Sequence, residues 1–403
     1  MNSYSFDVIL GPHAVHNSSS IKRFYKIMNT PRGLARAEEI YRHKAKRAKE
    51  WKALGRKVLG YLCLFAPPEI MASAGVLPYR LRGDLKEPVT RAYEFVEPFG
   101  CAYVRNLFDQ ELKGNLDFLD GLIMSHSCDM VQRIYGIWTL NRKLPFHYFV
   151  NVPHTLTPWS KEFFKRELAL FREKVQDFSG TKISNDQLRK TIAEYNRCRG
   201  LLRRLYGLRK EDPPRVTGVE ALRVLVAGMG IPVEEFNGLL EEIIAEVSSR
   251  SERPPRKAAR LMVYGSVCDD SSLIQLVEES DAYVVIDDTC IGTRSFMQDV
   301  PETADPLDGL VETYFSSFLC PRTDRGAEEG RLRYIADLAK EYGADGVIMY
   351  IYSYCDPHKF DAPDVRDVLK KEGLPSLIID DDYTLTNLAS IRTRVQAFVE
   401  LLS

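Results

Sequence analysis

No two cysteines in this chain are spaced Cys-x-x-Cys, which argues against zinc ribbons and thioredoxin-like redox motifs. No apolar run approaches the roughly 20 residues that cross a bilayer, so no membrane partner is expected. The N-terminal MNSYSFDVILGPHAVHNSSS lacks a charged stretch followed by an apolar one and does not read as a signal peptide. A cytoplasmic location is therefore the expectation. Neither sign of charge prevails: the formal net charge is −1, and no bulk attraction to nucleic acid is implied. A P-loop is absent. GMGIPVEE (Gly228–Glu235) has glycines without the Rossmann spacing. No tandem repeat of roughly 20–50 residues is present.

What is present is the composition of a soluble globular protein, 45% hydrophobic and 28% charged over 403 residues, long enough for two or three domains. The first stretch reads as an arm and a basic helix, RGLARAEEIYRHKAKRAKEWKALGRK (Arg32–Lys57). Strands and helices then alternate: KVLGYLCLF, PPEIMASAG, LDGLIMSHS, DMVQRIYGIWTLNRK and PFHYFVNVP. From Pro158 to about Val247 the apolar period is helical. SERPPRK (Ser251–Lys257) breaks the pattern, and the alternation restarts with ARLMVYGS, DAYVVIDD, DGVIMYIYSY and LPSLIIDDD as strands. The expected class is α/β, two doubly wound parallel-sheet domains with a helical insert. The expected boundaries are an arm and helix (1–55), a first α/β domain (56–157), the insert (158–252) and a second α/β domain (253–403).

Two of the apolar runs end alike, GLIMSHSCDM (Gly121–Met130) and GVIMYIYSYCDP (Gly346–Pro357). In open parallel sheets ligands bind beyond the carboxyl ends of strands. Cys128 and Cys355 occupy such exits, one in each half, and a cleft between the halves would bring them together. Each precedes a helix whose N-terminus favours thiolate. Cys101, in EPFGCAYVRN, is the best third candidate, separated from Cys128 by 27 residues and Cys128 from Cys355 by 227. Spacing alone leaves buried unliganded thiols, a zinc site and an iron–sulfur site all open. Asp129 and Asp356 read as helix caps.

APPEIMASAGVLPYRL (Ala66–Leu81), FGCAYVRN, SHSCDM, DDTCIGTR (Asp287–Arg294), YCDPHKFDAPDVRDVLKKEGLPSLIIDDDY and IRTRVQAFVELL occur in this order. In them the sequence resembles the 2-hydroxyacyl-CoA dehydratase family, which includes the iron–sulfur subunits of benzoyl-CoA reductases. The resemblance implies a [4Fe–4S] cluster held by Cys101, Cys128 and Cys355, with the fourth iron open to water or substrate. It also implies an acyl-CoA substrate and a related second subunit, as a heterodimer or homodimer. A separate ATP-hydrolysing iron–sulfur activator would inject one electron. The implied reaction is dehydration of a 2-hydroxyacyl-CoA to a 2-enoyl-CoA through a ketyl radical. Ring reduction of the benzoyl-CoA type, a double-cubane low-potential reductase recruiting Cys63, Cys290 and Cys320, and a non-catalytic electron-transfer subunit are the alternatives.

Ser125, His126 and His358 lie within a few residues of those thiols and are the candidate proton carriers or hydrogen-bond donors to cluster sulfur. GSVCDDSS follows a strand and opens a helix, so Gly265 and Ser266, with Arg294, are candidates to contact the CoA phosphates. Arg392 and Arg394 read either as solvated ion pairs or as contacts to those phosphates or the partner. Cys198 and Cys268 read as plain thiols.

Overall fold

Strand and helix follow one another in the same order twice. The computed structural model describes residues 33–322 and 328–403, so the expected N-terminal arm falls largely outside the described residues. The first sheet comprises β1 (Val58–Tyr61), β2 (Leu77–Arg80), β3 (Gly121–Ser125) and β4 (Phe146–Val150). The second comprises β5 (Ala259–Gly265), β6 (Ala282–Asp288), β7 (Gly346–Tyr352) and β8 (Ser376–Asp381). Every pairing is parallel, in the orders β2-β1-β3-β4 and β6-β5-β7-β8. The α/β class with two doubly wound parallel sheets is thus what the chain adopts. Strands such as GVIMYIY are buried at every residue, as a sheet covered on both faces requires.

The matching orders fix where a ligand can sit. From β1 the chain crosses to one side, then returns to the other for β3, and it does the same around β5. Two crevices therefore open, one beyond β1 and β3, the other beyond β5 and β7.

The strand β2 is not apparent in the sequence. It has only four residues, one of them Pro78, and shows no alternation. It lies at the sheet edge, where a missing N–H breaks no ladder. The basic N-terminal helix is also two helices, Gly33–Arg42 and Lys46–Ala53. The break frees the Lys44 carbonyl to accept from Arg82 Nη2 at 2.7 Å, while Lys44 Nζ reaches the Gly83 carbonyl. A tertiary bond thus outweighs helix propensity.

The insert contributes helices Pro158–Ser179, Asn185–Gly207, Gly218–Gly228 and Val233–Ser248, each with the expected start signals where the sequence offers them. Thr157 and Ser184 cap the first two, and Thr217 forms a capping box with Glu220. These helices tie the two sheets together. Arg199 pairs with Glu69 (2.5 Å) and Tyr314 (2.7 Å). Arg209, fully buried, pairs with Asp287 at 2.8 Å, and Tyr206 donates to the same carboxylate at 3.1 Å. Asp287→Ala would strand the buried guanidinium. We expect it to destabilise the fold by about 3–5 kcal/mol, read from urea melts; a loss below about 1 kcal/mol would contradict this coupling.

Between β6 and β7 the chain makes an excursion: helix Pro306–Val311 runs into one π-helical turn, Glu312–Ser316. Leu310, Val311, Tyr314 and Phe315 pack with Phe65 and Ile70 of the first half and with Phe164 and Leu168 of the insert. This excursion carries Cys320 toward the first sheet. Among the described residues no helix is long and apolar enough to cross a membrane.

Candidate metal centre

Cys101, Cys128 and Cys355 share one structural position. Each is the N-cap of a helix: Ala102–Leu112, Asp129–Asn141 and Asp356–Lys371. Asp129 and Asp356 were expected to cap. They instead occupy the first helical turn, where a carboxylate complements the helix dipole. The cysteine takes the cap because the strand exit brings its backbone, not that of the aspartate, to the helix start. The first free amides then face sulfur: Tyr103 and Val104 at Cys101, Val131 at Cys128 and His358 at Cys355, each lowering the thiol pKa. Burial acts against them and is the larger effect at all three, pushing Cys101 up to about 12. The protein alone therefore keeps these thiols protonated, and a cation in their midst would be needed to ionise them.

The three thiols are mutual neighbours. After burial, the charge that Cys101 feels most is that of Cys355, and Cys128 feels those of Cys101, Cys355 and Cys63. The structure also assembles a second set. Cys290 feels Cys320, Cys355 and Cys63, and Cys320 feels Cys63. By charge coupling, six of the eight cysteines fall into two triangles, Cys101–Cys128–Cys355 and Cys63–Cys290–Cys320, with Cys63 also felt at Cys128 and Cys355 at Cys290. Cys63 sits at the exit of β1 with φ +74. Cys290 follows β6. Cys198 and Cys268 lie apart: the charges named around them are those of Arg199 and Glu69, and of aspartates, respectively.

His358 links the triangles. Its Nε2 lies 3.0 Å from Arg294 Nη1, and its Nδ1 lies 3.4 Å from Cys355 Sγ. Arginine only donates, so Nε2 accepts and the ring proton resides on Nδ1, which faces both the thiol sulfur and the Gly265 backbone. Burial, then Arg294 and Arg331, hold the imidazole pKa well below its ordinary value. A neutral donor to sulfur suits this site better than a proton carrier. Arg294 in turn is anchored by Asp288 (3.0 Å) and lies 3.7 Å from Cys290 Sγ. Ser266 also favours the Cys355 thiolate through its side chain. Ser266 and Arg294, expected at CoA phosphates, thus line the thiol chamber. The helix that GSVCDDSS opens has its first amides taken by the chain itself: Ser271 N–H donates to Tyr41 Oη and Ser272 N–H to Asp270. Arg392 pairs with Glu279 at 2.7 Å and Arg394 donates to the Ile378 carbonyl at 2.5 Å, both ordinary surface contacts.

Among the described residues, Ser125 Oγ is buried with no hydrogen-bond partner. His126 stacks edge-on against His154 at 5.0 Å, and burial, then the Arg322 charge, lowers its pKa. Arg322 is buried and donates to the carbonyls of Val152 and Pro153, with Nε unpartnered. Among the described residues it has no carboxylate partner, and the charges it faces are Cys320, Cys63 and Cys128. A buried cation that has no carboxylate partner among the described residues and lies beside thiols is the environment that a net-anionic thiolate cluster would neutralise. The donor set therefore fits an iron–sulfur group. Among the described residues no group of three or more His, Cys, Asp and Glu side chains is placed to hold a metal ion, so the fit rests on the thiol chemistry.

A groove of about 1080 Å³ is lined by Tyr93, Arg105, Tyr354, Lys359 and Tyr383. Its wall includes Ala102 and Asp356, the residues that directly follow Cys101 and Cys355.

Comparison with known proteins places these features in a family. Residues 63–402 match the family model described as 2-hydroxyglutaryl-CoA dehydratase, D-component. A benzoyl-CoA reductase subunit of Thauera aromatica is 28% identical over 382 residues, spanning 93% of this chain and 98% of that one. The (R)-phenyllactyl-CoA dehydratase beta subunit of Clostridium sporogenes is 26% identical, spanning 88% of this chain and 94% of its own. The (R)-2-hydroxyglutaryl-CoA dehydratase beta subunit of Acidaminococcus fermentans is 24% identical over 88% of this chain and 94% of its own. The chain belongs to the 2-hydroxyglutaryl-CoA dehydratase D-component family.

Proposed function

We propose that this chain is an iron–sulfur subunit of an ATP-activated radical enzyme acting on CoA thioesters, with Cys101, Cys128 and Cys355 as the ligands of a [4Fe–4S] cluster. The observation that carries the reading is that Cys101, Cys128 and Cys355 each cap a helix start, and that the residues following Cys101 and Cys355 line a groove large enough for a thioester. The favoured reaction is dehydration of a 2-hydroxyacyl-CoA, in line with the family description and two of the relatives cited. Partners would be a related second subunit and an ATP-hydrolysing activator, since the relatives are themselves named as single subunits of larger enzymes.

When bound, such a cluster supplies a low-potential electron and, at an iron without a protein ligand, a Lewis acid. The chain's own residues set its surroundings. Helix-start amides and His358 Nδ1–H donate to sulfur, Arg322 balances negative charge, and burial excludes water. His358→Ala would remove one donor from Cys355 and is expected to lower the midpoint potential, as measured by an EPR-monitored titration; a raised or unchanged potential would contradict the donor role.

The test of function is an anaerobic reconstitution with partner and activator. Lactoyl-, phenyllactyl- and 2-hydroxyglutaryl-CoA are offered beside benzoyl-CoA, and products are read by mass. Loss of water supports dehydration. Gain of two hydrogens moves the assignment to ring reduction, and neither product defeats both.

A second reading rests on the second triangle. Cys63, Cys290 and Cys320 could hold another cubane against the first, making the chain a low-potential reductase with a double cluster. Iron content separates the two readings: about four irons per chain for one cubane, about eight for two.

A further inference from the structure

Arg80 ends the edge strand β2 and is 3% exposed. Among the described residues its Nε and Nη1 are buried without a hydrogen-bond partner. Among the described residues no carboxylate lies within ion-pair distance, and its only favourable contact of note is the Tyr61 ring, 5.3 Å from the guanidinium carbon. Arg82, two residues on and equally buried, shows what a settled arginine looks like here: it donates to the carbonyls of Val226 and Lys44 and to Tyr79 Oη.

Arg80 lines a cavity of about 110 Å³ between the first sheet and the insert. The other cation there, Arg199, is already neutralised by Glu69 at 2.5 Å. The cavity therefore carries one uncompensated positive charge. Much of its remaining wall is apolar, including Leu202, Leu225, Ile231 and Phe296. The cavity has about a tenth of the volume of the groove that Asp356 lines, far too small for a CoA thioester. A buried cation left alone is costly, and an anion that desolvates with it gains a strong charge-assisted, bidentate contact.

We propose that this cavity binds a short-chain monocarboxylate, its carboxylate on the Arg80 guanidinium and its alkyl end against the apolar wall. The site is independent of the thiol chamber and of any metal reading. One charge at the end of an apolar cavity selects a monoanion with a small hydrocarbon tail over an inorganic dianion, which would bring a second, unpaired charge.

The test uses the anaerobically purified full chain. Acetate, propionate, butyrate and the neutral isostere propionamide are titrated at constant ionic strength, by calorimetry and by thermal melting. Propionate or butyrate should bind and raise the melting temperature by mass action, and propionamide should not. Arg80→Met should weaken carboxylate binding at least tenfold and melt no lower than ligand-free wild type, because it removes an unpaired buried charge. Equal effects of acid and amide on wild type would overturn the proposal, as would a carboxylate effect that survives in Arg80→Met. Should Arg80→Met not fold, the acid-against-amide comparison on wild type decides alone.

Discussion

Cys355→Ser is expected to fold as well as wild type while losing at least about a thousandfold in turnover, equivalent to about 4 kcal/mol of transition-state stabilisation. Folding and turnover depend on different properties of this side chain. Cys355 is the N-cap of Asp356–Lys371, and serine is among the best residues for that position, so the helix start is preserved or improved. Stability should stay within about 0.5 kcal/mol of wild type in a urea melt. Serine lacks the soft thiolate that an iron centre requires, and with it goes the thiol that joins the first triangle to Cys290. A variant that keeps near-normal turnover would remove Cys355 from the chemistry. One that fails to fold would mean the thiol is structural.

Gly265→Ala is expected to destabilise the fold by roughly 3–5 kcal/mol. Gly265 has φ +142, and a Cβ there would stand 1.9 Å from the Tyr350 carbonyl oxygen. That contact is backbone against backbone, so no side-chain rotation relieves it. The strain falls where β5 meets β7, at the second crevice. Ser266 N–H donates to that same carbonyl at 2.9 Å, and Ser266 Oγ accepts from Tyr352 N–H at 3.2 Å. Any shift of Gly265 therefore displaces Ser266 from Cys355. A chemical-denaturation midpoint unchanged from wild type would show that β5 and β7 can part at no cost, against the register described.

Much of this is legible in the sequence, for identifiable reasons. Buried parallel strands read as short apolar runs, and a cysteine followed by an aspartate at two such exits marks both crevices. The positions of Cys128 and Cys355 follow from topology, because like strand orders put like exits at like places, whereas Cys101 arrives on the loop before helix Ala102–Leu112. The second triangle is harder to see. Cys63, Cys290 and Cys320 belong to three unrelated segments, and Cys320 arrives only through the excursion across 306–322, whose destination is set by packing against Phe65 and Ile70. Ser266 and Arg294 stand out in the sequence, but their neighbours Cys355 and Cys290 are not legible there. A turn with serines and a helix after it looks like a phosphate site, and nothing local says that Tyr41, 230 residues before Ser271, fills it. Arg80 carries no signal at all, since an arginine at the end of an unrecognised edge strand reads as a surface residue until its burial is known.

Iron and acid-labile sulfide per chain, after strictly anaerobic purification of wild type and Cys128→Ser, test the proposed cluster most directly. The account predicts about four of each in wild type, or about eight irons if the second triangle is also filled, with the first-triangle cluster lost from Cys128→Ser. A well-folded wild-type chain without iron would contradict it, and would leave six neighbouring thiols as buried side chains at helix starts and strand exits.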